Sequence, residues 1–264
     1  MQIKVIIPPK RSSVDSTGGR SSTGAFWSIF LSNALLSALS IANLGMISSM
    51  VGFLHDQKDN VGTYQVNWPD NTVQLKVEPA HLWVDQGHES NGVAGYGFFL
   101  GLFGLYVAWR QRRRQSTVSR ITRKHYNNSS TVANPFQQKP STTLLALFIL
   151  QLLAVLFTLS AVIFVFLVTN QTKGQSISPD IARSDVAYPE HKWTPETWFK
   201  AVRDLPLASQ HHHDNISSHI TTMVAWKWML VPIFITDIIA FGITTWVLMK
   251  QRKGGKEAPS MTQT

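Results

Sequence analysis

Residues 143–169 read TLLALFILQLLAVLFTLSAVIFVFLVT, 27 residues in which Gln151 is the one strongly polar member. About 20 apolar residues span the hydrocarbon core of a bilayer, with about 17 as a lower bound. A helix apolar all round has no face to give to water, so this stretch reads as a membrane span. Three further apolar blocks accompany it, 25–54, 93–109 and 225–249, of 30, 17 and 25 residues. The mean hydropathy is near zero only because these blocks alternate with polar segments. The block 93–109 is the shortest, and a buried hairpin is its alternative reading. The block 25–54 is too long for an ordinary signal-peptide core of about 7–15 residues, so it is expected to stay as an uncleaved first span.

Charge orients the chain. The tail 1–24 carries Lys4, Lys10, Arg11 and Arg20. The segment 110–142 carries eight basic residues and the tail 250–264 four, and Asp15 and Glu257 are the only acids in these three segments. The segments 55–92 and 170–224 hold seven basic and twelve acidic residues between them. Basic residues beside spans stay in the cytoplasm. Both termini and 110–142 are therefore expected inside, with 55–92 and 170–224 outside. The net charge of +9 then reads as a topology signal and an attraction to anionic inner-leaflet lipids, with no call for nucleic acid. Tryptophans fall near the span ends in the same map: Trp27, Trp109 and Trp246 inside, Trp226 and Trp228 outside. The absence of cysteine excludes disulfides, thiolate metal sites and S-palmitoylation.

Inside lipid, helices associate through close backbone approach and hydrogen bonds. Gly97 and Gly101 form a GxxxG pattern continued by Gly104, and Ala34, Ala38 and Ala42 repeat at four-residue spacing on the first span. These two helices are expected to pack against each other, with a homo-oligomer as the alternative use of the motif. Asp237 lies in the middle of the fourth span. A carboxylate at that depth costs about 2.5–3.5 kcal/mol, so it calls for a partner or a purpose. Matching depths along the helices places Ser37, Asn33 and Gln151 within reach, and a bond from Asp237 to the first span is expected. Lys227 is expected to extend its amine to the headgroups.

The outer segments carry local order. Residues 63–68 and 72–77 alternate in polarity, and Pro69-Asp70-Asn71 between them is turn chemistry, which predicts a hairpin. Leu82–Val84 offers a third short strand. Thr194-Pro195-Glu196-Thr197 reads as a helix start, followed by an apolar face through Trp198, Phe199, Ala201, Val202 and Leu205. Eight of the nine histidines lie in the outer segments, and His211, His213 and His219 are weak candidates for a metal shell within what is expected to be a solvated loop. Asn170 and Asn215 head outward glycosylation sequons, with Asn215 favoured because Asn170 abuts the membrane. Asn127 and Asn128 also head sequons, and a glycan there would invert the topology. In the inner segment, Ser116 follows an arginine run as a basophilic kinase site would, and Asn134-Pro135-Phe136 resembles a tripeptide bound by endocytic EH domains.

The fold expected is an all-α membrane protein. It is a four-transmembrane-helix bundle with a small extracytoplasmic β-hairpin and a short amphipathic helix in the outer loops. An outer sheet over four helices resembles the claudin-type tetraspans in architecture. Their tryptophan and paired-cysteine signature is missing, and no residue carries over. No nucleophile–histidine–acid set or metal motif points to catalysis, and no cofactor is expected. The function expected is non-enzymatic organisation, scaffolding or trafficking through membrane or peripheral protein partners, at the plasma membrane or an endomembrane. The alternative is a small transporter, channel or accessory subunit built on Asp237.

Overall fold

The computed structural model describes residues 17–126, 141–184 and 188–254. The Asn127 and Asn128 sequons, the Asn134–Phe136 tripeptide and most of both tails lie outside the described residues. Helix α1 runs Thr17–Asp56 and closes in one π-helical turn, Gln57–Val61. Strands β1 (Thr63–Trp68) and β2 (Asn71–Lys76) follow, then α2 (Asp85–Tyr126), α3 (Thr142–Gln171), α4 (Pro179–Ser184), α5 (Pro195–Arg203) and α6 (Gln210–Gly254). Among the described residues, four helices are long and apolar enough to cross a membrane.

These helices outrun the apolar blocks. At 1.5 Å per residue, the 40, 42 and 45 residues of α1, α2 and α6 reach about 60–70 Å, twice a hydrocarbon core of about 30 Å. Hydropathy marks only the apolar part of each helix; nothing in the polar flanks stops it. The expected inner loop is thus helical through Tyr126, and the expected solvated loop with the histidine run is the first turns of α6. Around the bundle, α1 neighbours α2 and α6, and α3 closes the ring by neighbouring the same two. Outward-facing side chains include Leu31, Leu35, Phe99, Leu156, Ile163 and Ile239, each at least 45% exposed. An apolar exterior of this kind suits a membrane or a protein partner.

The α1/α2 seam is a close backbone approach. A Cβ on Gly101 would stand 2.7 Å from the Asn33 carbonyl oxygen and 2.9 Å from the Ser37 amide nitrogen. One on Gly97 would stand 2.5 Å from Ser40 Oγ, and one on Gly104 would overlap the Asn33 side chain. The face of α1 that receives these glycines is not the alanine stripe. Ala34 is half-buried, and Ala38 and Ala42 are exposed, while Asn33, Ser37, Ser40 and Asn43 are buried. The glycines of α2 supply the close approach by themselves. Of these polar side chains, Asn33 and Ser37 find hydrogen-bond partners inside the bundle, whereas Ser40 Oγ and the Asn43 carboxamide are buried with none.

At one end, both connecting segments fold into a cap. The expected hairpin forms, but β2 starts one residue earlier than expected: Asn71 pairs with Trp68, which leaves Pro69-Asp70 as the turn, and Thr63 stands opposite Lys76, with Tyr64, Val66 and Leu75 buried on one face. Leu82–Val84 does not join it. Leu82 instead bridges Trp193, and Trp83 N–H donates to the Trp193 carbonyl at 2.8 Å. The outer edge of β1 is taken by the segment after α5: Asn67 N–H donates to Pro206 O, and Ala208 N–H to Gln65 O, both at 2.9 Å. Tyr188, Trp193 and Trp198 pack edge to face beneath, with ring centres 5.3–6.0 Å apart. Trp198 Nε1 donates to the Val77 carbonyl at 2.7 Å and so ties α5 to the end of the hairpin.

Candidate functional site

Two sets of buried polar groups stand out, one inside the bundle and one where the cap meets it. In the bundle, Asp237 on α6 is 2% exposed. Its Oδ2 accepts from Thr158 Oγ1 at 2.7 Å, and its Oδ1 has no hydrogen-bond partner. The expected bond to the first span is therefore not made; the partner lies on α3. Gln151, also on α3, donates from Nε2 to Asn33 Oδ1 at 3.2 Å, so this bond reaches between non-neighbouring helices α3 and α1. Asn33 Nδ2 donates in turn to the Ile29 carbonyl at 2.8 Å. Ser37 Oγ donates to Phe98 O across the glycine seam at 3.2 Å. Pro232, five residues before Asp237, receives the Thr236 hydroxyl on its carbonyl at 2.7 Å.

Thr158 went unread in the sequence, yet α3 carries a signal for it. Gln151, Ala154, Thr158 and Ala161 recur every three or four residues, and all four are buried. Small and polar side chains at helical spacing mark the face that meets other helices. The large residues between them, Leu152, Leu153, Leu156 and Phe157, face out.

At the cap, Lys227 does not reach toward headgroups. Its Nζ donates to both carboxylate oxygens of Glu196, at 2.8 and 3.0 Å, with both side chains less than 10% exposed. Glu196 also receives Lys200, four residues on, whose side chain is 40% exposed. Glu196 sits in the first turn of α5 because Thr194 caps that helix: Thr194 Oγ1 accepts from Thr197 N–H, and Thr197 Oγ1 accepts from Thr194 N–H. The cap end is thus keyed to α6 by one buried ion pair. The sequence shows the cap and the acid of α5; the pairing with Lys227, 31 residues away, is a tertiary fact.

The histidines do structural work here. His219 stacks on Phe53 with ring centres 3.9 Å apart, and His212 meets the Tyr64 ring edge on at 5.6 Å. Among the described residues, no group of three or more histidine, aspartate or glutamate side chains is arranged to hold a metal, and His211, His213 and His219 do not converge. Tyr64 is buried, and its hydroxyl donates to buried Gln57 Oε1. Burial first, and the Asp56 carboxylate second, hold that phenol well above its ordinary value.

Of the sequons, Asn170 is exposed at the end of α3, whereas Asn215 is half-buried within α6. Ser116 lies on the polar extension of α2, exposed, with its Oγ donating to the Arg113 carbonyl at 2.8 Å. At the same end, Trp27, Trp109 and Trp246 are each about half exposed, and Arg113 lies 3.8 Å over the Trp109 ring. At the cap end Trp228 is exposed, but Trp226 is 8% exposed and belongs to the interior.

No protein-family model matches this chain, and neither a curated protein nor a solved structure is found to match it.

Proposed function

We propose that this chain is a non-enzymatic four-span membrane protein that organises neighbouring proteins through its cap, with the cap outside and both termini in the cytoplasm of a plasma-membrane protein. The observation that carries this reading is the Glu196–Lys227 pair. It fixes α5, and through Trp198 the hairpin, to the bundle, so two loops of a small protein become one preformed surface. A preformed surface lowers the ordering cost that a partner must overcome on binding. The inner end, with its arginine run on α2, suits anionic lipid and regulatory contacts.

The test crosslinks the intact chain to its neighbours in living cells, comparing the native protein with Glu196→Gln. The scaffold reading expects the set of neighbours crosslinked from the cap to shrink in the variant while membrane retention persists. An unchanged set refutes it. A glycan added at Asn127 or Asn128 would refute the orientation.

A second reading, ion or proton passage at Asp237, is favoured by the unpartnered Oδ1 of that buried carboxylate. Flux in reconstituted vesicles that Asp237→Asn abolishes, with assembly intact, would select it. Loss of assembly with no flux in the native protein would select the scaffold.

A further inference from the structure

Beneath the cap lies a cavity of about 270 Å³, walled by Ile47, Met50 and Leu54 of α1 and Met223 and Trp226 of α6. We propose that it binds one end of a neutral, hydroxyl-headed lipid drawn from the bilayer leaflet on the cap side. The proposal rests on the four-span reading and is independent of the scaffolding role.

Depth is the first argument. The apolar blocks 25–54, 143–169 and 225–249 all end on the cap side at cavity residues or beside them: Leu54, Thr169 and Trp226. The cavity therefore sits at the boundary between acyl chains and headgroups. The walls are mostly apolar, and lipid is the abundant apolar guest at that level. Exposed lining residues on both helices, Val51 and His55 of α1 and His88 and Asn91 of α2, place the opening between α1 and α2.

Charge selects the headgroup. Apart from the two imidazoles, Glu196 is the one ionisable side chain among the lining residues, and Lys227 and Lys200 already pair with it. A phosphate would find no lysine or arginine on these walls, and a choline or amine would find no free carboxylate. What the lining offers is neutral hydrogen bonding from the Gln86 and Asn91 carboxamides, since the Thr194 hydroxyl is taken by the cap of α5. Gln86 is 4% exposed and its Oε1 has no donor. Turning that terminal amide toward the cavity would let a guest hydroxyl donate to it and satisfy a buried acceptor. The volume of about 270 Å³ lies just below the usual range of ligand pockets, roughly 300–1,000 Å³, so the cavity holds the head and adjoining part of the guest while the rest stays in the bilayer.

The full chain is reconstituted in phosphatidylcholine vesicles doped with a photoactivatable sterol, diacylglycerol or phosphatidylcholine. Labelled peptides are then mapped. At least one hydroxyl-headed probe is expected to label 47–55 or 223–226 above the phosphatidylcholine probe, and the arm that labels identifies the source. Gln86→Leu is expected to cut that labelling about fivefold, the value of one hydrogen bond. Ile47→Trp, which fills the cavity, is expected to abolish it. Thermal midpoints for both variants separate loss of the site from loss of the fold; should Ile47→Trp not fold, Met223→Phe replaces it. Equal labelling by phosphatidylcholine, or labelling that survives both Gln86→Leu and the filled cavity, overturns the proposal. Release of the native chain from membranes by alkaline carbonate would sink the four-span reading itself. Retention without specific labelling sinks only the lipid site.

Discussion

Removing the Glu196 carboxylate tests the architecture most directly. In Glu196→Gln the Lys227 ammonium keeps its buried position but loses the charge that both 2.8 and 3.0 Å contacts supply. Breaking a buried pair from one side costs about 3–5 kcal/mol, because the remaining charge is stranded. Lys200, 40% exposed, turns to water at little cost. The reverse variant, Lys227→Met, strands less, since Glu196 keeps Lys200; about 1–3 kcal/mol is expected. Replacing both with methionine removes charge and partner together and should fall near the native value, since buried pairs exchanged for apolar residues are often neutral or better. At about 2–4 °C per kcal/mol for a chain of this size, Glu196→Gln lowers the thermal midpoint by roughly 6–20 °C. The assay is heat-induced loss of monodisperse protein in detergent, with cap unfolding followed by tryptophan fluorescence. Equal effects of the two single variants, or a double variant as weak as the sum of both, would refute the argument that α5 is held by this pair.

Other outcomes follow from the same structure. Gly101→Leu should cost about 1–3 kcal/mol by forcing α1 and α2 apart, whereas Ala38→Leu, facing outward, should stay within about 0.5 kcal/mol; midpoint shifts in detergent compare the two. Thr158→Val should cost about 0.6 and at most about 1.7 kcal/mol, the range of interhelical hydrogen bonds in membranes, and cysteine crosslinking of α3 to α6 should weaken with it. Tyr64→Phe strands the buried Gln57 carbonyl oxygen and should destabilise the cap by about 1–3 kcal/mol in fluorescence-monitored unfolding. Because the folded Tyr64 phenol ionises above its ordinary value near 10, the unfolded chain gives up that proton first. The cap should thus be indifferent to this group up to about pH 10 and lose stability as pH rises through the higher folded value, with tyrosinate absorbance and cap unfolding moving together.

What the sequence determined by itself is whatever the local chain must satisfy. Four apolar blocks give helices long and apolar enough to cross a membrane whatever surrounds them. Period-two alternation around Pro69-Asp70 makes the hairpin, and Thr194 starts α5 through hydroxyl bonds three residues apart. Phase and pairing were decided only in the tertiary structure. Hydropathy has no rotational content in a span whose leucines are as content outside as in, so the alanine stripe of α1 looked like an interface and faces out instead. Asp237 meets Thr158 on α3, and Lys227 meets Glu196 on α5, because helix crossings set by the Gly97–Gly104 seam and by the cap bring distant segments to one depth. The histidine run follows this division too: its composition reads as a solvated loop, whereas in the fold it forms the first turns of α6, with His211 exposed and His212 against the Tyr64 ring.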